Sequence, residues 1–345
     1  MKISAITGVW NFGVKTPQST QPTQNVKKFD SKQDVFVSNI AFQRNTSAGN
    51  VLKKLRNISC PYTGIKMLPG SSVNRINKKL EICDTIVDVV NCLAHYVNCM
   101  QPIEKAMYNQ FVEYSEYNPH GELQDCLANL YHVAITRLKL EEFAVLDEID
   151  RLSLKMSPDN ALAMRKKITT CRQVILDDNK ENPFKRRTLI ESLGDIPEFG
   201  RDKKILEQIE DRAVYLPSSS TSENAFIVKY LERSHQEIAK RLLVSSTATI
   251  EHILPDSKGG ENAIGNFILV SSSANRLREN LPLEKFIARF PNVPQNCQKY
   301  IEQIINVINN GGLKGLENYP YMVKQTLDKE SKGLIKLDVD KLKIA

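Results

Sequence analysis

No stretch of this chain holds the roughly 18 uninterrupted apolar residues of a membrane-spanning helix. The apolar run from Thr85 to Met100 is broken by Asp88, Asn91 and Asn98, so no membrane partner is expected. The first residues, Met1 to Trp10, lack the long apolar centre of a secretory signal, and a cytoplasmic location is the default expectation. The 7 cysteines are odd in number and scattered at 60, 83, 92, 99, 126, 171 and 297. That distribution excludes a disulfide framework and suits a reducing compartment. Aromatic residues are only 7% of the chain and do not cluster, which argues against a stacking platform for single-stranded nucleic acid. No internal repeat of fixed period is visible, which excludes a solenoid.

What is present is a globular composition of 345 residues, 41% hydrophobic and 25% charged, more than one typical domain and long enough to bury a substantial core. The formal net charge of +7 is compatible with a polyanionic partner. Three basic groups, Lys53-Lys54-Leu55-Arg56, Arg165-Lys166-Lys167 and Lys185-Arg186-Arg187, are each read first as solvated faces.

Residues 1–50 are rich in Thr, Gln, Asn, Ser and Lys and are expected to be a disordered leader. Residues 78–215 read as a helical domain. Ile82, Ile86, Val89, Val90 and Leu93 recur at helical spacing, as do Leu123, Leu127, Leu130, Tyr131 and Ala134. Ser157-Pro158 marks a helix start at which Ser157 can cap. Cys83, Cys92 and Cys99 fall on apolar phases and are expected to be small buried side chains. His95, His132 and His235 are expected at core edges or on the surface, and His120 as part of a cap. One helix is expected over Glu223–Val244, and two more over Pro294–Asn309 and Tyr319–Lys332. Ile335 to Asp340 alternates like an exposed strand.

Chemistry concentrates in one place. Thr249 to Leu254 predicts a strand, the Gly259-Gly260 loop a turn, Gly265 to Val270 a second strand, and Ser272 to Glu279 a helix. On such a β, β, α frame Glu251 and Asn275 can offer oxygen atoms to one divalent cation, and hard oxygen donors suit Mg²⁺ or Mn²⁺. His252 can take a proton from an attacking water, since an imidazole accepts protons at neutral pH. Arg276, next to the second ligand, is expected to contact a phosphate, with Lys258 and Arg278 as further substrate contacts.

The segment from Glu251 to Leu281 resembles the HNH endonucleases, whose ββα-metal unit carries an acid-His-x-x-Pro motif, a central Asn and a final His or Asn on the helix. The resemblance implies that Glu251 and Asn275 are the metal ligands, His252 the general base and Asn266 the residue that braces the loop. Many members of that family also hold a structural zinc on two cysteine pairs. Here only Cys60 of Cys60-Pro61-Tyr62-Thr63-Gly64 remains, with Ser271 and Ala274 where the second pair would stand, so no structural zinc is expected. Cys60 to Met67 is either the remnant of that knuckle, with residues 51–77 folding against residues 245–290, or a mere Pro-Gly turn.

The expected fold is therefore α+β and predominantly helical: a ββα-metal unit over 216–290 including a buttressing helix, with a large helical insertion or N-terminal bundle, and C-terminal helices and a terminal strand over 291–345. The expected function is metal-dependent endonucleolytic hydrolysis, with DNA as the nucleic-acid partner. The alternatives are an inactive nucleic-acid-binding derivative and an RNA-directed nuclease.

Overall fold

The computed structural model describes residues 55–177, 200–278 and 281–341, together with Leu52, Leu189, Leu193 and Ile196. The expected leader, the pair Lys53-Lys54 and the group Lys185-Arg186-Arg187 lie outside the described residues. The chain is predominantly helical with one small two-stranded sheet. No described helix is long and apolar enough to cross a membrane.

Helix α1 (Gly70–Leu80) buries Val73, Ile76 and Leu80 at helical spacing. Helix α2 (Ile86–Leu93) starts at Thr85, whose hydroxyl takes the amide of Asp88 while the Asp88 carboxylate returns to the Thr85 amide. That capping box breaks the helix expected from Ile82 onward. Ile82 lies in the intervening turn and is 79% exposed, a correction to its expected burial. Helices α3 (Pro102–Tyr117) and α4 (Leu123–Ser153) follow, and α4 runs for 31 residues. Helix α5 (Pro158–Leu176) has Ser157 at its N-cap position, yet the hydroxyl does not cap. It donates to the Asp202 carboxylate at the start of α6 (Arg201–Ala213), which also accepts the Ser157 amide at 2.9 Å.

The helix expected over Glu223–Val244 is two helices, α7 (Glu223–Tyr230) and α8 (His235–Val244). Ser234 and Glu237 form a capping box that starts a new helix where one long one was expected. Cys83 is buried, whereas Cys92 and Cys99 are only half-buried. His95, His120 and His132 are exposed. His235 departs from its expected place: it is buried, and its Nδ1 accepts the Leu123 amide at 2.9 Å.

Strands β1 (Ala248–His252) and β2 (Phe267–Ser271) pair antiparallel with Ile250 opposite Leu269 and His252 opposite Phe267. A 3₁₀ turn over Ile264–Asn266 replaces the first residues of the second strand expected from the sequence. Helix α9 (Ser272–Arg278) follows β2 directly. Helices α10 (Leu283–Arg289), α11 (Val293–Asn309) and α12 (Tyr319–Glu330) then pack with both strands into one apolar core. Ile335, Leu337 and Val339 are buried in that core, although no strand forms there. The alternation read as an exposed strand is an extended segment whose apolar side faces inward.

A two-stranded sheet leaves backbone groups on both outer edges, which are costly if buried unpaired. Segment 58–68 supplies one answer: the Leu68 amide donates to Ser246 O at 2.9 Å and Leu68 O accepts from the Ala248 amide at 2.8 Å. Side chains supply the other. Along the outer edge of β2 the Ser271 amide donates to Cys60 Sγ at 3.3 Å, the Leu269 amide to the Tyr300 hydroxyl at 3.3 Å, and the Tyr319 hydroxyl to Phe267 O at 2.9 Å. Tyr300 and Tyr319 also bond one another at 2.8 Å. Burial pushes the Tyr300 phenol up to about 12 and raises Tyr319 well above its ordinary value, so both stay neutral.

Candidate nuclease site

Strand β1 places Glu251 and His252 on opposite faces, as strand alternation requires. Glu251 is buried at 6% exposure, and its Oε1 accepts Arg278 Nη1 at 2.6 Å. The same guanidinium donates to His252 O at 2.8 Å, to Ile253 O and to the Tyr62 hydroxyl at 3.1 Å. Burial raises the Glu251 carboxyl above its ordinary range, and the adjacent Arg278 charge works against that rise. Arg278 was expected to meet substrate. It is only 1% exposed, and both of its Nη groups donate inside the protein while its Nε is buried without a partner.

Asn275 sits one helical turn before Arg278 on α9, and both side chains face β1. The Asn275 Nδ2 lies 3.4 Å from Thr249 Oγ1 and 3.4 Å from Ile250 O. Its Oδ1 accepts no hydrogen bond among the described residues, and neither does Glu251 Oε2. Two hard oxygen atoms at the β1–α9 interface are therefore uncommitted, a donor chemistry that suits Mg²⁺ or Mn²⁺. No group of three His, Cys, Asp or Glu able to hold a metal occurs among the described residues, so a cation held by Glu251 would need the asparagine amide and water as its other ligands.

The other face of β1 carries His252, half-buried and stacked edge-on against Phe267 at a centroid distance of 4.8 Å. Its Nε2 lies 2.9 Å from Asn262 Oδ1. An amide oxygen only accepts, so with Asn262 in this orientation Nε2 carries the proton and Nδ1 keeps the lone pair. Asn266, 7% exposed, accepts the Leu254 amide at 2.8 Å and donates to Leu254 O at 3.0 Å and Glu261 O at 2.9 Å. It thus pins both ends of the loop that follows His252. Gly260 in that loop has no room for a side chain, since a Cβ would lie 1.9 Å from Leu254 O. Arg276 is exposed with its Nε on Ser272 O, and Lys258 is exposed in a 3₁₀ turn beside a cavity of about 190 Å³.

Residues 234–281 match the HNH endonuclease family model. The matched segment runs from the N-cap of α8 through β1, β2 and α9, so the four residues read above fall inside it. No curated protein and no solved structure matches the chain. The HNH match points to nuclease-type chemistry on nucleic acid. Tyr62, which touches Arg278 from outside the HNH segment, was not singled out by its sequence, because nothing local to Pro61-Tyr62-Thr63 signals a partner 216 residues away. Asn262 was also passed over, although a polar residue in the loop after Gly259-Gly260 was a legible candidate to orient His252.

Proposed function

We propose that this protein is a metal-dependent endonuclease of the ββα-metal type that hydrolyses phosphodiester bonds in DNA. The observation that carries the proposal is that, inside the HNH segment, Glu251 on β1 and Asn275 on α9 each keep an uncommitted oxygen at the β1–α9 interface, and His252 follows Glu251 directly in the chain. Glu251 and Asn275 would hold the cation, and neutralisation of charge at the phosphate and the leaving oxygen is the chemistry that a divalent cation supplies when bound there. His252 Nδ1 takes a proton from the attacking water, with Asn262 fixing the tautomer and Phe267 limiting ring rotation. Asn266 holds the loop so that the His252 main chain keeps its place. Arg276, exposed beside Asn275, provides a phosphate contact, with Lys258 as a second cation on the same loop as His252.

One observation favours a second reading, a unit that binds nucleic acid without cutting it: the Glu251 carboxylate already shares its charge with Arg278. Plasmid relaxation separates the two. Supercoiled DNA is incubated with Mg²⁺, Mn²⁺ or EDTA and either the intact protein or His252→Ala. The endonuclease reading expects metal-dependent nicking or linearisation that falls by about 10²–10⁴-fold in the variant. Cleavage of RNA alone would reassign the substrate. Binding of DNA with no cleavage of plasmid, single-stranded DNA or RNA under any metal would establish the binding-only reading.

A further inference from the structure

We infer that Arg278 is the positioning residue of this site rather than a substrate contact, and that Tyr62, from the far N-terminal side of the chain, holds it in place. The inference rests on the metal reading of Glu251 given above and goes beyond it. One guanidinium joins the carboxylate of the first proposed ligand to the carbonyls of His252 and Ile253, so it sets the orientation of Glu251 and the path of the chain through the proposed base together. Its fourth acceptor, the Tyr62 hydroxyl, belongs to the Cys60–Met67 hairpin. The Tyr62 ring lies 5.7 Å below the guanidinium carbon and 5.0 Å from Phe286. That hairpin is also tied to the rest of the unit by the Ser271 amide donating to Cys60 Sγ, by Cys297 Sγ donating to Pro61 O at 3.5 Å and Asn296 Nδ2 to Tyr62 O at 3.2 Å, and by the main-chain bonds of the adjoining Leu68. Hydrogen bonding and ring packing thus hold the hairpin where a Cys₄ zinc cannot form. Outer partners of this kind orient metal-binding carboxylates, and their loss lowers metal affinity without touching the metal. Lysine is a poor substitute, because one ammonium does not fork to a carboxylate, two carbonyls and a phenol at once.

The test measures two things on the full chain: Mn²⁺ affinity by titration calorimetry, and binding of a short labelled DNA duplex in EDTA over a range of salt. Arg278→Gln is expected to weaken Mn²⁺ binding by about 10–100-fold, with Arg278→Lys weakened less and Tyr62→Phe least. All three should keep the wild-type DNA affinity in EDTA and its salt slope. Should Arg278→Gln fail to fold, the lysine and phenylalanine variants carry the comparison. Unchanged Mn²⁺ affinity in folded Arg278→Lys and Tyr62→Phe would overturn the inference. So would a loss of metal-free DNA affinity in Arg278→Lys with a salt slope reduced by about one, the signature of a phosphate contact. Absence of Mn²⁺ binding by the wild-type protein would instead remove the metal reading itself, and this inference with it.

Discussion

Replacing Asn266 by alanine removes three hydrogen bonds at a position that is 7% exposed: Leu254 N to Oδ1 at 2.8 Å, and Nδ2 to Leu254 O at 3.0 Å and Glu261 O at 2.9 Å. A net contribution of about 0.5–1.5 kcal/mol each gives an upper total of about 4.5 kcal/mol. Glu261 is exposed, so water replaces the bond to its carbonyl. The two bonds to half-buried Leu254 then dominate, and the expected loss is about 1–3 kcal/mol. Far-UV circular dichroism during urea unfolding is the assay, because the single tryptophan, Trp10, lies far in sequence from the site. The midpoint should fall with little change in slope, and limited proteolysis should cut faster between Leu254 and Asn262. Asn266→Asp keeps the acceptor for the Leu254 amide but turns an anionic oxygen towards two carbonyls, so it should be no better tolerated than alanine at neutral pH. A midpoint shift worth less than about 0.5 kcal/mol for Asn266→Ala, or an aspartate variant more stable than the alanine one, would refute this account of the loop.

Two further outcomes follow from the buried polar groups. Tyr319→Phe leaves Phe267 O without its donor and the Tyr300 hydroxyl without the acceptor for its proton, and should cost about 1–3 kcal/mol in urea melts; a change too small to measure would mean that the β2 edge is satisfied otherwise. His235 is buried with Nδ1 accepting the Leu123 amide, and burial lowers its pKa while Glu122, Asp125 and Asp84 pull the other way. Because the folded value lies below the unfolded one, the unfolded chain binds the extra proton, and stability falls as pH drops below about 6.5 until the folded value is passed. Urea midpoints compared above and below that pH should show the drop in wild type and a smaller one in His235→Asn; equal drops in both would assign the effect to other groups.

Much of the local structure was legible because it depends on near neighbours. The turn chemistry of Gly259-Gly260 and the strands around it need only a few consecutive residues, and the Ser234-x-x-Glu237 box that splits α7 from α8 was there to be read. Ile82 misled because helical spacing says nothing about a capping residue three positions later that ends the pattern. The alternation of Ile335, Leu337 and Val339 revealed an extended segment, but burial depends on what lies opposite, which alternation does not encode.

The sequence by itself determined the candidate chemistry. Glu251, His252, Asn266 and Asn275 lie within one contiguous stretch, so the element that carries each of them follows from near neighbours. The tertiary structure alone decided what surrounds them. Arg278 looks, in sequence, like any other basic residue of the helix, and its burial against Glu251 and Tyr62 is set only by packing. Cys60, Tyr300 and Tyr319 close the edge of β2 from segments far away in the chain. Hydrogen bonds from side chains to main-chain groups leave no periodic trace, since every residue offers the same amide and carbonyl. Which of them need a partner is set only when folding removes the water.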